Sequence, residues 1–213
     1  MRQTIQVAVA KGQMLAGNVG LVTIANFDER CATETLNAIE QLRKDGAPAL
    51  IFDVRFNPGG YKKEMVQILD YLLPEGDLFR SQYYTGQESV DTSNASCLEM
   101  PMAVLINENS YSAAEFFAAA LDEYDWAILV GESTTGKSYF QNTFQLNDGS
   151  AVGLSVGKYF TPKGVSLAEV GGLRPEVEIL VDDETTAKIY AGQIPPEEDP
   201  QIMAAMVALQ KDS

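Results

Sequence analysis

The chain has 213 residues, of which 46% are hydrophobic and 21% charged, a composition that suits one folded domain with a sizeable core. It carries 15 Lys and Arg residues against 30 Asp and Glu residues, so its formal net charge is −15. Because this charge repels a phosphate backbone, we expect no nucleic-acid partner. No segment reaches the ~18 apolar residues of a transmembrane helix, and we expect no membrane span.

The sequence contains no histidine and only two cysteines. The absence of histidine excludes the Ser-His-Asp triad, the Cys-His pair and histidine zinc sites, so a nucleophile in this chain needs another base. Cys31 and Cys97 are too few for a disulfide framework, and we predict that both thiols are unpaired. We expect neither a metal nor a cofactor.

Hydrophobic periodicity and turn residues predict the secondary structure. In chain order, the predicted elements are strands at 4–10 and 19–25 with a turn at 11–17 between them, a helix at 33–44, a strand at 49–54, a helix at 62–73, a strand at 78–84, a surface loop at 85–99, a strand at 102–106, a helix at 113–124, a strand at 126–130, a hairpin of strands at 140–146 and 151–160, a proline-rich linker at 194–200 and a helix at 201–210. The alternation of strands and helices through the first two thirds of the chain predicts an α/β fold. In such folds, the short loops after the strands carry the active site.

One segment, residues 131–138, matches the phosphate-binding pattern G-x-x-x-x-G-K-[ST] letter for letter and follows a predicted strand. A phosphate-binding loop needs a helix directly after its lysine, because the N-terminal amides of that helix bind the anion. The residues after Lys137 alternate polar and apolar side chains and run into an Asp-Gly turn, which predicts a strand instead. A nucleotide-binding enzyme is therefore the less favoured hypothesis for this segment.

Ser112 and Lys137 offer a second interpretation of the same region. Ser112 lies where a buried strand meets an alanine-rich helix, so helix N-terminal amides can stabilise an oxyanion beside its hydroxyl. Without histidine, lysine is the natural base, provided that its surroundings favour the neutral amine. The alternatives are an N-cap role for Ser112 and a solvated loop position for Lys137.

Five segments resemble motifs of the C-terminal processing peptidases, also called tail-specific proteases. They are 52–60 (FDVRFNPGG), 107–115 (NENSYSAAE), 130–137 (VGESTTGK), 159–164 (YFTPKG) and 171–177 (GGLRPEV). In that order they resemble the family's Asp-x-Arg-x-Asn-Pro-Gly-Gly segment, its nucleophile motif, its lysine loop and its Tyr-Thr-Pro-x-Gly and Gly-Ile-x-Pro-Asp-Val landmarks. The resemblance covers the chain from about residue 19 onwards, and all five motifs stand in the family's order.

The resemblance implies a serine endopeptidase of the Clp-protease/crotonase-like α/β fold, with a β-hairpin after the catalytic lysine. Such an enzyme hydrolyses polypeptide substrates, near their C-termini, through an acyl-enzyme. By matching position, Ser112 is the expected nucleophile and Lys137 the expected general base. Gln141 matches the family glutamine that orients the lysine, although an exposed strand position without a role is the alternative for this residue.

Backbone N–H groups of Gly59, Gly60 and Ala113 are the oxyanion donors that the resemblance implies. Glycine suits this role because it lets a substrate carbonyl approach the main chain closely. Glu123 occupies the position of a family aspartate near the site, but we interpret it as a solvated carboxylate late in a helix. Tyr111 stands where the family usually has a small residue, and we expect it to narrow the pocket beside the nucleophile.

We predict that residues 1–213 form a single peptidase catalytic domain, with a joining strand and turn at 1–18 and a linker and helix at 194–213. Family members usually carry a PDZ domain before this core, and we interpret the chain as the core of such a protein. The resemblance implies a parent protein that is exported to the cell envelope or the extracellular space, with no targeting segment in this chain. A catalytically silent module that binds a peptide or an apolar ligand is the alternative function, and the oligomeric state is left open.

Overall fold

The computed structural model describes residues 7–211, which fold into two β-sheets and six α-helices. The strands are β1 (Ala10–Met14), β2 (Gly20–Ile24), β3 (Leu50–Asp53), β4 (Gly76–Tyr83), β5 (Glu88–Ser93), β6 (Met102–Ile106), β7 (Ile128–Gly131), β8 (Tyr139–Gln145), β9 (Ala151–Phe160) and β10 (Val177–Glu178). The helices are α1 (Cys31–Lys44), α2 (Lys62–Leu72), α3 (Ala113–Glu123), α4 (Leu167–Val170), α5 (Asp183–Tyr190) and α6 (Pro200–Lys211), and two short 3₁₀ turns lie at Ala16–Asn18 and Pro196–Glu198.

The first sheet, which we call the core sheet, has six strands in the order β1-β2-β3-β6-β7-β10. Only β1 pairs antiparallel with its neighbour in this sheet, and the strands from β2 to β10 run parallel. β6 is buried along its whole length, as its continuous apolar sequence requires of a strand covered on both faces. Because the strands are parallel, the loops that follow β3, β6 and β7 leave the same edge of the sheet.

Helices cover both faces of the core sheet. One face packs against α1, α2 and α3, whose buried residues include the aromatic side chains of Phe116 and Phe117. The opposite face packs against α6 through Ile202, Ala205 and Leu209. Burying one large apolar side chain contributes about 1.5–3 kcal/mol, so the apolar residues of both layers stabilise the fold.

The second sheet, which we call the outer sheet, contains the antiparallel strands β5-β4-β9-β8 in that order. β8 and β9 are joined through residues 146–150, where Gly149 adopts the positive φ of +86° that the turn requires. All residues of β8 except Phe140 are exposed, and the first half of β9 is largely exposed as well. The end of β9 is different, because Tyr159 is 4% exposed and packs against the core.

Buried ion pairs fasten the C-terminal helix to the core sheet. The guanidinium of Arg55, directly after β3, contacts Asp53 at 2.7 Å and Asp199 at 2.9 Å, and it donates to Gln201 Oε1 at 2.8 Å. Burial lowers the pKa of Arg55, but the two carboxylates outweigh this effect and raise it. Asp199 also accepts the N–H of Gln201, so one side chain holds the start of α6 and the end of β3 together.

The predicted α/β fold with a parallel sheet is confirmed, and the predicted helices lie within two residues of α1, α2, α3 and α6. The prediction for the N-terminal segment is wrong. Residues 7–9 form no strand and residues 4–6 lie outside the described part, whereas the predicted turn at 11–17 contains most of β1 and a 3₁₀ turn. β1 is an edge strand whose polar residues face solvent, and such strands lack the apolar alternation that reveals a strand in sequence.

The prediction of a loop at 85–99 is also wrong in part, because this segment contains β5, an exposed and polar edge strand. The short elements α4, α5 and β10 were not predicted, because two to eight residues give too little periodicity.

Both cysteines are unpaired, as predicted. No helix within residues 7–211 is long and apolar enough to cross a membrane.

Candidate active site

The loop after β6 places Ser112 at a sharp turn into α3. Ser112 has φ 54° and ψ −112°, a conformation that a non-glycine residue adopts only when its surroundings enforce it. The main-chain N–H of Tyr111 donates to the carbonyl of Asn57 at 2.9 Å and thereby ties this turn to the loop after β3. A strained serine between a buried strand and a helix is the arrangement that presents a nucleophilic hydroxyl to substrate.

The loop after β3 brings Gly59 directly against Ser112. A Cβ added to Gly59 would lie 2.9 Å from Ser112 Cβ, 2.9 Å from the Tyr111 carbonyl oxygen and 3.0 Å from Ala113 N, and the φ of Gly59 is +95°. No side chain fits at this position, so glycine is required both by the conformation and by the close approach. Two of the three predicted oxyanion residues, Gly59 and Ala113, therefore lie side by side at Ser112.

The three predicted oxyanion donors are not equivalent. The N–H of Gly59 is already donated to Asn57 Oδ1 at 2.8 Å, which leaves no proton for a substrate oxygen. The N–H groups of Gly60 and Ala113 have no hydrogen-bond partner anywhere in residues 7–211. Only these last two are free to donate to an oxyanion, whereas Gly59 contributes through its missing side chain.

Glu115 joins the nucleophile turn to the loop that carries Lys137. Its side chain is fully buried, and it accepts the main-chain N–H of Ser112 at 3.0 Å and that of Lys137 at 3.0 Å on the same oxygen, Oε2. Its other oxygen accepts the hydroxyl of Thr134 at 2.6 Å and the N–H of Gly136 at 2.7 Å. Four hydrogen bonds to one carboxylate satisfy a charge that would otherwise be costly to bury.

This arrangement argues against a nucleotide-binding loop at residues 131–138. Lys137 is followed by Ser138 and then by β8, not by a helix. The N–H groups of Gly136 and Lys137, which would have to bind a phosphate, point at the carboxylate of Glu115 instead. The loop therefore binds a carboxylate of its own chain through two amides that a nucleotide phosphate would need.

The main chains of the predicted catalytic pair share Glu115 as an acceptor, but no hydrogen bond joins the two side chains within residues 7–211. Within residues 7–211, the amine of Lys137 has neither a hydrogen bond nor an ion pair, and it forms none with Ser112 Oγ. Gln141 lies on β8, directly after a register shift that follows Phe140. Its side chain is exposed, and the side-chain amide has no hydrogen-bond partner within residues 7–211. The structure thus brings Ser112, Lys137, Gly59 and Ala113 together but leaves Gln141 outside the contacts.

Tyr159, on the outer sheet, lies between the two loops. Its hydroxyl donates to the main-chain carbonyl of Lys137. Burial raises the pKa of its phenol, and the hydroxyl of Ser112 acts in the opposite direction. Tyr159 is thus a neutral donor at physiological pH that binds the lysine loop through its hydroxyl and packs against Phe116 of α3.

Glu123 is not the freely solvated carboxylate that the sequence predicted. It accepts the hydroxyl of Thr161 at 2.6 Å and the N–H of Lys163 at 2.7 Å, so it holds the turn after β9. Sequence reasoning also gave no role to Glu115 or Tyr159. The signal for Glu115 was present, because Ser-x-x-Glu at the start of a helix is a capping-box pattern, but its contacts with the lysine loop are tertiary and leave no trace in spacing.

A shallow apolar depression of about 530 Å³ borders the site. Tyr111 and Pro58, the residues directly before Ser112 and Gly59, form part of its wall, and Phe56 and Tyr190 of α5 line it further. The ring of Tyr190 packs edge-on against Phe56 with centroids 5.3 Å apart. The depression therefore offers aromatic surface beside Ser112 and Gly59, as ligand sites commonly do.

Serine, lysine and free main-chain donors at the ends of parallel strands define a candidate hydrolase site, and comparison with known proteins identifies the class. The chain belongs to peptidase family S41, whose model matches residues 18–179. This confirms the family of C-terminal processing peptidases that the motifs indicated.

Two curated relatives carry the corresponding names. The carboxy-terminal processing protease CtpA of Bacillus subtilis (strain 168) is 34% identical over 184 residues, which cover 85% of this chain and 39% of the relative. The carboxyl-terminal-processing protease of Synechocystis sp. is 34% identical over 161 residues, which cover 75% of this chain and 38% of the relative. The chain thus spans about two fifths of the length of these proteins.

Solved structures have the same fold. The photosystem II D1 C-terminal processing protease superposes with a TM-score of 0.72 at 27% identity, over 84% of this chain and 50% of that chain. A putative S41 protease from Bacteroides fragilis superposes with a TM-score of 0.75 over 100% of this chain and 60% of that chain. At 18% identity, the second comparison speaks for the fold alone.

Proposed function

We propose that this chain is the catalytic core of a serine endopeptidase with a Ser–Lys mechanism, in which Ser112 is the nucleophile and Lys137 the general base. The observation that carries the proposal is the shared oxygen of Glu115, which receives the N–H of both residues and holds the two loops together. The strained conformation of Ser112 supports the same assignment. The absence of histidine leaves lysine as the base of choice.

In the proposed reaction, the neutral amine of Lys137 takes the proton of Ser112 Oγ while this oxygen attacks the carbonyl carbon of the scissile peptide bond. The resulting tetrahedral intermediate collapses, the C–N bond breaks, and the leaving amine takes the proton back from Lys137. The acyl-enzyme is then attacked by water, whose proton passes to Lys137 and from there to Ser112 Oγ as the carboxylic acid departs. Lysine must be unprotonated at the start of each half-reaction.

The negative oxygen of the tetrahedral intermediate needs donors that are already in place. We assign this role to the N–H groups of Ala113 and Gly60, because both lack partners in the described part of the chain. Gly59 permits the approach of the loop to Ser112 through its missing side chain. Removing one such donor typically reduces kcat by about 10²–10³-fold.

Gln141 is proposed to orient Lys137 in the substrate complex, as the family resemblance implies. Its amide has no partner within residues 7–211, so this role requires a rotation of the side chain towards Lys137. We therefore expect Gln141→Ala to reduce activity far less than Lys137→Ala does.

The substrate is proposed to be a polypeptide that is cleaved near its C-terminus, which rests on the names of the relatives. We further propose that the described core acts as one catalytic unit of the Clp-protease/crotonase-like class. Export of the parent protein to the cell envelope belongs to the same proposal.

A catalytically silent module that binds a peptide is the second candidate. One observation favours it: Ser112 Oγ and the amine of Lys137 share no hydrogen bond within the described residues. Catalytic hydrogen bonds are often long in unliganded enzymes and shorten in the substrate complex, so this observation weighs less than the shared contacts of Glu115.

The test is hydrolysis of casein by the wild type, Ser112→Ala and Lys137→Ala, with Ser96→Ala and Lys44→Ala as matched controls at exposed positions. We expect both active-site variants to lose at least ~10³-fold in rate and both controls to keep it. Cleavage that survives Ser112→Ala contradicts the assignment. A folded wild type that binds casein without cleaving it supports the silent module.

A further inference from the structure

We propose that Tyr159 is a positioning residue of the Ser–Lys pair, whose hydroxyl fixes the main chain of Lys137 opposite Ser112. This inference rests on the proposed function. It adds a role for a residue of the outer sheet in a reaction whose other participants leave the edge of the core sheet.

Two hydrogen bonds join Tyr159 to the lysine loop. The side-chain hydroxyl donates to the carbonyl of Lys137, and the main-chain N–H donates to the carbonyl of Ser138 at 3.0 Å. Two consecutive carbonyls of the loop are therefore held by one residue. A single residue that binds two successive peptide units restricts their rotation more than one contact does.

The main chain is held on both sides of Lys137. Its N–H is held by Glu115 at 3.0 Å and its C=O by Tyr159, so the peptide groups before and after the lysine are both anchored. The amine itself has no hydrogen bond or ion pair within residues 7–211. Polar contacts therefore hold the main chain of Lys137 and leave its amine free to act.

The phenol of Tyr159 has one proton to donate. A carbonyl oxygen can only accept, so the single proton of the Tyr159 hydroxyl goes to Lys137. Loss of this hydroxyl would therefore free the carbonyl of Lys137 while leaving the ring in place.

The ring of Tyr159 is held in place by packing. Tyr159 is 4% exposed, and its ring packs against Phe79 of β4 with centroids 5.3 Å apart and against Phe116 of α3 with centroids 5.8 Å apart. Phe116 belongs to the helix that begins directly after Ser112. The phenol is therefore fixed to the same helix that carries the nucleophile turn, and its hydroxyl transmits that position to the lysine loop.

The test is the kinetics of Tyr159→Phe, which keeps the ring and removes only the hydroxyl. We expect kcat for casein or a derived peptide to fall by about 10–100-fold with KM within twofold, because a small misplacement of reacting groups affects the chemical step. Tyr83→Phe is the matched control, since Tyr83 packs edge-on against Phe140 in the same sheet and its hydroxyl has no partner in the described part of the chain.

A second variant separates positioning from packing. Replacing Tyr159 by p-aminophenylalanine keeps a donor at the ring's para position. We expect this variant to recover at least half of the decrease in log kcat that Tyr159→Phe causes. Labelling of Ser112 with a fluorophosphonate counts the competent molecules, and kcat is expressed per labelled molecule. This normalisation keeps the result valid if either variant folds less completely.

Each outcome decides the question. A reduced kcat per labelled molecule with partial recovery by the amino analogue supports the inference. An active wild type with unchanged kcat per labelled molecule in Tyr159→Phe overturns the inference and leaves the Ser–Lys proposal intact, as does an equal loss in both Tyr159 variants. A wild type that neither cleaves nor labels overturns the proposed function, and the inference falls with it.

Discussion

The core sheet and the outer sheet contribute to the candidate site in different ways. The core sheet places Ser112 and Gly59 at the ends of strands that are buried on both faces, and β6 has no exposed residue. The outer sheet supplies Tyr159 and Gln141 from strands of which β8 is almost fully exposed. The nucleophile side is therefore held by packing, whereas the lysine side is held by a few polar contacts, chiefly those of Glu115 and Tyr159.

The largest effect is expected from breaking the link between the two sides. Glu115→Gln replaces a carboxylate that accepts four hydrogen bonds by an amide whose NH₂ group faces donors. We expect the free energy of unfolding to fall by about 3 kcal/mol and casein hydrolysis by at least ~100-fold. Urea denaturation and initial rates measure the two effects.

Glu29→Gln is the control for this change, because Glu29 is exposed and makes no hydrogen bond within residues 7–211. A surface substitution of this kind changes stability by no more than about 0.5 kcal/mol. Equal stabilities of Glu115→Gln and Glu29→Gln would show that the two sides do not depend on Glu115.

The next largest effect is expected from disturbing the close approach of Gly59 to Ser112. Gly59→Ala introduces a Cβ 2.9 Å from Ser112 Cβ at a φ of +95°, and we expect hydrolysis to fall by about 100-fold as the turn moves. Gly149→Ala introduces the same strain at a φ of +86° with no heavy atom within 4 Å. Gly149→Ala should lose about 1 kcal/mol of stability through strain alone, Gly59→Ala should lose about 1–3 kcal/mol more through the collision, and only Gly59→Ala should lose activity.

This pair separates backbone strain from steric collision, since the two glycines share the first and differ in the second. If Gly149→Ala reduced the rate as much as Gly59→Ala does, the approach of Gly59 to Ser112 would not be the cause. Initial rates per folded molecule, with thermal unfolding as the reference, provide the measurement.

Amide hydrogen exchange sharpens the comparison without a mutation. The amides of β6 are buried in the core sheet and should exchange only through global unfolding, whereas those of β8 should exchange at least ~100-fold faster through local opening. Mass spectrometry of peptides covering residues 102–106 and 139–145 measures both. Equal protection of the two strands would mean that the outer sheet opens only together with the core.

The smallest effect concerns the pH dependence of stability through Cys31. Burial raises the pKa of this thiol to about 12, above that of an exposed thiol, so the folded state keeps a proton that the unfolded state releases. The stabilisation by the buried thiol is fully present at neutral pH and is lost as pH rises towards 12. We expect the wild type to lose about 1–2 kcal/mol more than Cys31→Ala between pH 8 and pH 10.

Cys97→Ala serves as the reference here, because Cys97 is partly exposed and lies in a loop rather than in the core. Its loss of stability over the same pH range should equal that of the wild type. Urea titrations at the two pH values give the loss of unfolding free energy for the wild type and both variants. Identical losses in the wild type and Cys31→Ala would contradict the burial effect.

The part of the fold that followed from sequence is the part in which burial dominates. The continuous apolar run of β6 and the apolar face of α2, with Met65, Ile68, Leu69 and Leu72 buried, are visible in the sequence because one side or both sides must be apolar. β1 and β5 are polar edge strands whose pairing depends on neighbours far along the chain. Nothing in their own residues distinguishes them from turns.

The site divides along the same line. Ser112 and Lys137 were found through motifs, whose residue types and order survive in sequence. That Gly59 has no free N–H depends on the rotamer of Asn57, and the role of Glu115 depends on a loop 21 residues away that meets its carboxylate at Gly136. Such tertiary polar contacts have no period or spacing, so only the three-dimensional structure reveals them.

The shared oxygen of Glu115 has a consequence for how this site can change over evolutionary time. The main-chain N–H groups of Ser112 and Lys137 donate to the same oxygen of Glu115. A substitution that shifts either loop therefore also strains the other. Neighbouring sites in one hydrogen-bond network show non-additive effects. The two loops are therefore expected to diverge jointly, with paired compensating substitutions, and a lineage that loses Glu115 should lose the geometry of nucleophile and base in the same step.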